Sequence, residues 1–398
     1  MPQEPPTMFC PKCVRTTLIV LAAVTLASCA FDLLAQETAP TPHVITSEAL
    51  GQERHFTVHV PASYNTQSAS YPVLYLLDGE HNADFTEAVV DFLAGNGRIP
   101  ELIVVAVPSG ATRGADYRPE FVEMGGSAGG ANLFLAHLAD ELIPFIEDNY
   151  RAAPFRILSG HSMGGLFTTY ALTKRSDLFR GFISQSPYLD GEMGTQMLDH
   201  VTESIDGIVG DAVYYMNVGD EPNLSANLER LGDLLNQAPD GLRVVAHSDP
   251  TQTHMTTRLL GQYAGLENTF AEWPVPATAL AAEGAAALEA HIASLSTAYG
   301  YPVLLNESAF QQATQSAIGQ GNFDGAVAFA QLYAAQYANS PVPHFLGGVA
   351  LARSGQLAPA AEAVARAIEL YEANPTPELE GMYQTMKQVQ QQIAGALG

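Results

Sequence analysis

Apolar residues along this chain follow two different spacings. Short, unbroken apolar runs occupy 72–77 and 102–107, a largely apolar run containing Arg156 occupies 155–158, and strand-like segments follow at 179–184, 212–218 and 242–246. Runs without polar alternation predict strands covered on both faces, and hence a central, mostly parallel sheet. Residues 55–60 instead alternate with a period of two and predict an early strand with one face exposed. Helical periodicity fills 82–94, 130–148 and 164–175 between the runs. This alternation predicts an α/β fold with helices on both faces of the sheet. Chemistry in such a sheet gathers at the C-terminal ends of the strands, where Gly79, Ser109, Ser162 and Gly219 fall.

After Trp273 the pattern becomes purely helical. Residues 277–297 are rich in alanine, Tyr299-Gly300-Tyr301-Pro302 interrupts them, and a repeat begins beyond. Gly321-Asn322-Phe323-Asp324 matches Gly355-Gln356-Leu357-Ala358, Tyr337 matches Tyr371 and Pro341 matches Pro375, all at an offset of 34 residues. That is the tetratricopeptide period, in which each repeat is a helical hairpin. Two such repeats bury little apolar surface against themselves, so the tail is expected to lean on the preceding domain. It is also expected to offer a contact for a protein partner or a dimer. The organisation predicted is a signal segment at 1–29, a tether at 30–44, an α/β domain at 45–273, a linker helix at 274–303 and an all-α tetratricopeptide-like tail at 304–398.

Charge narrows the partners. With 398 residues, 47% of them hydrophobic, the chain can bury a sizeable core, but its formal net charge is -25. Lys12, Lys174 and Lys387 are the only lysines. So acidic a surface repels nucleic acid and anionic lipid. All three cysteines, Cys10, Cys13 and Cys29, precede residue 30. There Lys12 and Arg15 lead into a short apolar run that ends in Leu26-Ala27-Ser28-Cys29. The run is too short to span a bilayer and has the length of a signal-peptide core. Leu-Ala-Ser-Cys resembles a bacterial lipobox, which predicts an exported protein, periplasmic or anchored to the membrane through a lipid on Cys29. Cleavage after Ala30 or Ala35 is the competing expectation.

The sharpest chemical signal is Gly160-His161-Ser162-Met163-Gly164-Gly165, placed between the apolar run at 155–158 and a helix-forming segment. A nucleophilic serine on a tight strand-to-helix turn needs small residues two places before and after it, here Gly160 and Gly164. In this fold the nucleophile is followed by an acid and then by a histidine. The acid belongs just past 212–218, where Gly219-Asp220-Glu221-Pro222 offers two carboxylates, Glu221 as first choice and Asp220 as the alternative. The base belongs in the loop after 242–246. His254, beyond a polar loop and at the start of a helix, is preferred over His247 at the strand's end. His161 reads as a packing residue. The backbone N–H of Met163 is one expected oxyanion donor, and the turn after Leu76-Leu77-Asp78-Gly79 supplies the other through Glu80. No cofactor and no metal are called for.

Leu76-Leu77-Asp78-Gly79, Gly-His-Ser-Met-Gly-Gly, Gly-Asp-Glu-Pro and the late histidine together resemble the putative-esterase branch of the α/β-hydrolases, over residues 45–273. That branch includes enterochelin esterase-like enzymes, esterase D and the mycolyltransferases, and some members carry a tetratricopeptide tail. Arg113-Gly-Ala-Asp116-Tyr117-Arg118-Pro119 is similar to the family's Arg-Asp-x-x-Pro loop, with stretched spacing. The resemblance implies a substrate loop built on Asp78, Arg113 and Arg118, and an oxyanion N–H at Glu80. The activity expected is an exported serine ester hydrolase acting on small or medium uncharged esters. A siderophore esterase or an acyltransferase of the same family is the alternative. An anionic siderophore sits badly with an acidic chain whose local cations are Arg113 and Arg118. A non-catalytic anchored scaffold with a partner-binding tail is the reading from outside the enzyme class, and a complete candidate triad weighs against it.

Overall fold

The computed structural model describes residues 39–397, apart from 66, 123–126, 240, 276–279 and 281–282. The expected signal segment and lipobox, with Cys10, Cys13 and Cys29, lie outside the described residues. Eight strands form one sheet in the order β1-β2-β4-β3-β5-β6-β7-β8. They are Thr41–Ser47, Gln52–His59, Tyr71–Leu77, Ile103–Val107, Ala152–His161, Gly181–Gln185, Ala212–Val218 and Leu242–Ser248. β1 and β2 are antiparallel to their neighbours, and every pairing from β4 to β8 is parallel.

Burial explains the two spacings seen in the sequence. Every residue of β3 and β4 is buried, as their unbroken apolar runs require, and so is every residue of β6. β1 and β8, at the two edges of the sheet, are largely exposed or half-buried. β1 also corrects the tether expected at 30–44, because strand pairing already begins at Thr41. Pro40 and Pro42 disguised it. A proline is tolerated on an edge strand, where its missing N–H need not interrupt a ladder.

Helices α1 (Gly79–Gly95), α2 (Ala131–His137), α3 (Ile143–Asn149), α4 (Met163–Lys174), α5 (Gly191–Ser204) and α6 (Pro222–Leu235) connect the strands, and α7 (Thr257–Thr269) follows β8. A π-helical turn at Leu138–Leu142 joins α2 to α3, so the one helix expected at 130–148 runs through with a local widening. From Gly164 to Thr173 every residue of α4 is buried. α4 follows β5 directly, which sets the turn between them over the middle of the sheet.

The chain divides into two compact units, one formed by 37–274 with 293–306 and the other by 275–292 with 307–398. The expected linker at 274–303 is therefore shared between them. Its second half joins the sheet unit, where the Tyr299 ring lies 5.0 Å from Phe155 and stacks on Trp273. Asn306 Nδ2 donates to the carbonyl of Ala94 at 2.5 Å. The helix α8 (Ala285–Tyr299) contributes residues to both units.

The other unit holds α9 (Glu307–Gly319), α10 (Phe323–Gln336), α11 (Pro341–Arg353), α12 (Leu357–Ala373) and α13 (Glu380–Leu397). Its core is aromatic and aliphatic: Phe310 stacks on Tyr333, and Val349, Val364 and Met386 are buried. α9 and α11 begin 34 residues apart, as do α10 and α12. At Gly348 a Cβ would lie 2.7 Å from Val364 Cγ2, so the glycine lets α11 and α12 approach closely. Tyr333 donates to the carboxylate of the largely buried Glu307, and Gln311 Nε2 donates to the tyrosine oxygen at 3.1 Å.

Candidate active site

Ser162 stands between the last residue of β5 and the first of α4, with φ 58 and ψ -114. That backbone region is nearly closed to residues with a Cβ and costs about 1–3 kcal/mol. The turn is held from the next strand: Ser162 N–H donates to the Gln185 carbonyl at 2.9 Å, and Tyr188 N–H donates to the Ser162 carbonyl at 2.9 Å. The small-residue requirement is met unevenly. A Cβ on Gly160 would lie 2.4 Å from the Gly164 carbonyl oxygen, which no side chain survives. A Cβ on Gly164 would meet only ordinary contacts, so the expected demand falls on Gly160 and on the backbone of Gly164, not on its missing side chain.

The acid and the base come from the ends of the next strands along the sheet. His254 Nδ1 and Glu221 Oε1 are 2.5 Å apart, and the imidazole keeps 35% of its surface exposed. Glu221 Oε2 accepts from Ser186 Oγ at 2.7 Å and from Gly219 N–H at 3.1 Å, so the carboxylate is fixed on both oxygens. Asp220 is exposed, and its N–H donates away to the Gln252 carbonyl at 2.8 Å. His247 lies exposed on β8, the edge strand. Of the two candidate carboxylates and the two candidate histidines, the fold brings Glu221 and His254 together.

His161 does more than fill space. Its Nε2 lies 2.7 Å from the His254 carbonyl, and the two rings are 4.5 Å apart. Burial first, and then the neighbouring His254, lower its pKa to about 4. The ring is therefore neutral at ordinary pH and donates through Nε2. Thr257 Oγ1 donates to the same carbonyl at 2.8 Å.

On the other side of Ser162, Met163 opens α4 and Glu80 lies in the first turn of α1. N–H groups in a first helical turn have no partner within their helix. Asp78, just before α1, adopts the left-handed region at φ 53 and is clamped by Arg113, whose Nε and Nη2 each donate to its carboxylate at 2.8 Å. Ser109 Oγ donates to Asp78 Oδ1 at 2.6 Å, and Ser109 and Gly110 N–H donate to the Glu80 carboxylate. Two carboxylates thus stitch the turn after β3 to the loop after β4.

The residues of the expected substrate loop each have partners within the fold. Asp78 and Arg113 neutralise each other, and the carboxylate holds the guanidinium's pKa above its ordinary value. Arg118 is buried and donates to the Ser127 and Ala128 carbonyls and to Ser127 Oγ, so it braces its own loop from inside. Arg54, which played no part in the sequence reading, anchors that loop through Asp116 at 2.8 Å and Thr112 at 2.8 Å. Ser186 was also missed. Its φ of 38 and its position at the end of β6 give it a place among the strand-end residues, but no motif marks it.

Residues 47–253 match the family described as Putative esterase. The uncharacterized protein YbbA of Bacillus subtilis is 27% identical over 188 residues, which are 44% of this chain and 71% of YbbA. The ferri-bacillibactin esterase BesA of the same organism is 35% identical over 147 residues, 30% of this chain and 48% of BesA. Among solved structures, an IroE-like serine hydrolase from Shewanella oneidensis is similar with a TM-score of 0.62 at 24% identity, covering 74% of this chain and 98% of its own.

Proposed function

The chain belongs to the putative esterase family, and on that premise we propose that it is a serine ester hydrolase working through an acyl-enzyme. The observation that carries the reading is the Glu221–His254 pair at 2.5 Å, one ring away from the strained turn that presents Ser162. In this mechanism Ser162 Oγ attacks the ester carbonyl carbon while His254 Nε2 takes its proton. Glu221 holds the Nδ1–H, which fixes the tautomer and stabilises the imidazolium. The N–H groups of Met163 and Glu80 receive the oxyanion, each worth roughly 3 kcal/mol in the transition state. The protonated imidazole then releases the alcohol, and water, activated by the same histidine, frees the acid.

A fluorophosphonate probe should label the protein once, at Ser162. Ser162→Ala should abolish labelling and lower ester turnover by several orders of magnitude. Wild-type turnover in that variant on every ester the protein cleaves would sink the reading.

The name of BesA favours a siderophore ester over a plain uncharged one. Hydrolysis of a ferric catecholate triester faster than a p-nitrophenyl ester of similar size supports that variant, and the reverse order supports the simpler substrate. The 34-residue helical offset supports a tetratricopeptide-like tail. The lipobox motif supports export and a lipid on Cys29, which Cys29→Ser would abolish as read by metabolic lipid labelling.

A further inference from the structure

Arg258 sits one helical turn beyond His254, at the start of α7, and had no part in the sequence reading. Its Nε donates to the Met255 carbonyl at 3.1 Å, its Nη1 to Asn82 Oδ1 at 3.1 Å, and the guanidinium lies 5.8 Å from the Phe85 ring centroid. Asn82 belongs to the first turn of α1, the turn that carries Glu80, and its Nδ2 is fixed on the Leu77 carbonyl at 3.0 Å. The guanidinium is thus held between the helix that carries the expected oxyanion donor and the loop that carries the base. It is close enough to His161 to contribute, with Arg113, to keeping that ring neutral.

What separates it from Arg113 is charge balance. Arg113 is neutralised by Asp78, whereas Arg258 forms no ion pair among the described residues. Its recorded partners are neutral, and Nη2 is left without an acceptor among the described residues. A chain with a net charge of -25 has carboxylates to spare, yet none among the described residues pairs with Arg258. An arginine positioned by neutral hydrogen bonds keeps its remaining N–H groups for an incoming anion, and its planar fork suits a carboxylate. Met255 and Leu259, exposed at 55% and 47% on the same stretch of chain, give this cation an apolar border.

We propose that Arg258 is a specificity-determining residue that binds an anionic group of the ester, a carboxylate or its equivalent, carried on an apolar arm. This rests on the ester-hydrolase reading and sharpens it, because it replaces the uncharged ester expected from the acidic composition with a negatively charged one. Net charge sets the field far from the protein, but a contact cation decides at hydrogen-bond range.

The test compares mono-4-nitrophenyl glutarate with its methyl ester, which removes the charge and little else. In the wild type, kcat/KM should favour the free carboxylate roughly 10- to 100-fold, the range of a charge-assisted hydrogen bond. In Arg258→Gln that ratio should collapse towards one, mostly through KM, while Arg258→Lys keeps part of it. Glutarate should inhibit the wild type competitively and Arg258→Gln far more weakly. A wild-type ratio near one, or a ratio unchanged in Arg258→Gln, overturns the proposal. A parallel loss on both probes overturns it too, as that marks a structural role. Failure of the fluorophosphonate to label Ser162 would instead bring down the hydrolase reading, so the two failures are distinct.

Discussion

The two units of this chain treat backbone strain in opposite ways. Asp78, Ser162 and Ser186 are the non-glycine residues with positive φ among the described residues, and all three stand at the C-terminal ends of β3, β5 and β6. In the helical unit the positive-φ positions are glycines, such as Gly321 and Gly355 between helices, where that conformation costs little. Strain in the sheet unit is concentrated where side chains must project from strand ends at fixed angles. The helical unit has no such demand on its turns. Strained residues persist only when their surroundings over-determine them, and here hydrogen bonds between neighbouring strand ends do so.

The largest effect that tests this contrast lies in the sheet unit. His254→Ala should lower ester turnover by roughly four orders of magnitude or more, nearly as far as Ser162→Ala, because the hydroxyl is a poor nucleophile without a base. Glu221→Gln should cost about 100- to 10,000-fold, while Asp220→Asn stays close to wild type. If Asp220→Asn were the crippled variant in steady-state assays, the role given to the hydrogen-bonded carboxylate would be wrong.

Next in size is a pH effect. His161 has its pKa lowered to about 4 in the fold, against about 6.5 in an unfolded chain. Between those values the unfolded chain binds a proton that the folded one refuses, so stability falls as pH falls through that window. The loss approaches about 3 kcal/mol near pH 4. Denaturant unfolding from pH 7 to 4 should show a shallower decline in His161→Gln than in the wild type; parallel declines would contradict it.

In the helical unit, Gly348→Ala should overpack α11 against α12 and destabilise that unit by about 1–3 kcal/mol. Calorimetry should show the loss, with ester turnover by the folded protein unaffected. The smallest effect reverses sign: Ser162→Gly should stabilise the sheet unit by about 1–2 kcal/mol while abolishing turnover, since it removes the strain with the nucleophile. A Tm for Ser162→Gly no higher than that of Ser162→Ala would mean the turn is not strained.

How much of this was legible in the sequence depended on whether a residue's role is local. The tight turn at Ser162 was readable because its glycines, its serine and the flanking strand and helix are contiguous. Chain order singled out His254, which the fold pairs with Glu221. The neighbouring acids Asp220 and Glu221 were harder to separate, because the choice turns on how the chain reverses at Gly219, where a Cβ would lie 2.6 Å from the Gln252 carbonyl oxygen. The surroundings of Arg113 and Arg118 were not legible, because sequence shows cations but not their partners. Ser186, Arg54 and Arg258 act through residues 35, 62 and 176 positions away, and no local pattern records such pairings. β1 was hidden by prolines that only an edge strand tolerates.

His161 touches both flanks of Ser162. Its carbonyl accepts from Arg113 Nη2 at 3.2 Å, and its Nε2 donates to the backbone of His254. The Arg113 side and the His254 side therefore share one residue, and changes on the two sides should not be independent. Substitutions at Arg113 and at Thr257, remote in sequence and on opposite flanks, should depart from additivity in the wild-type background and recover it once His161 is replaced. Evolution on such a scaffold would meet the same constraint: a new substrate loop on one side must be compatible with the histidine loop on the other, and the two are free to diverge separately only after the residue between them has changed.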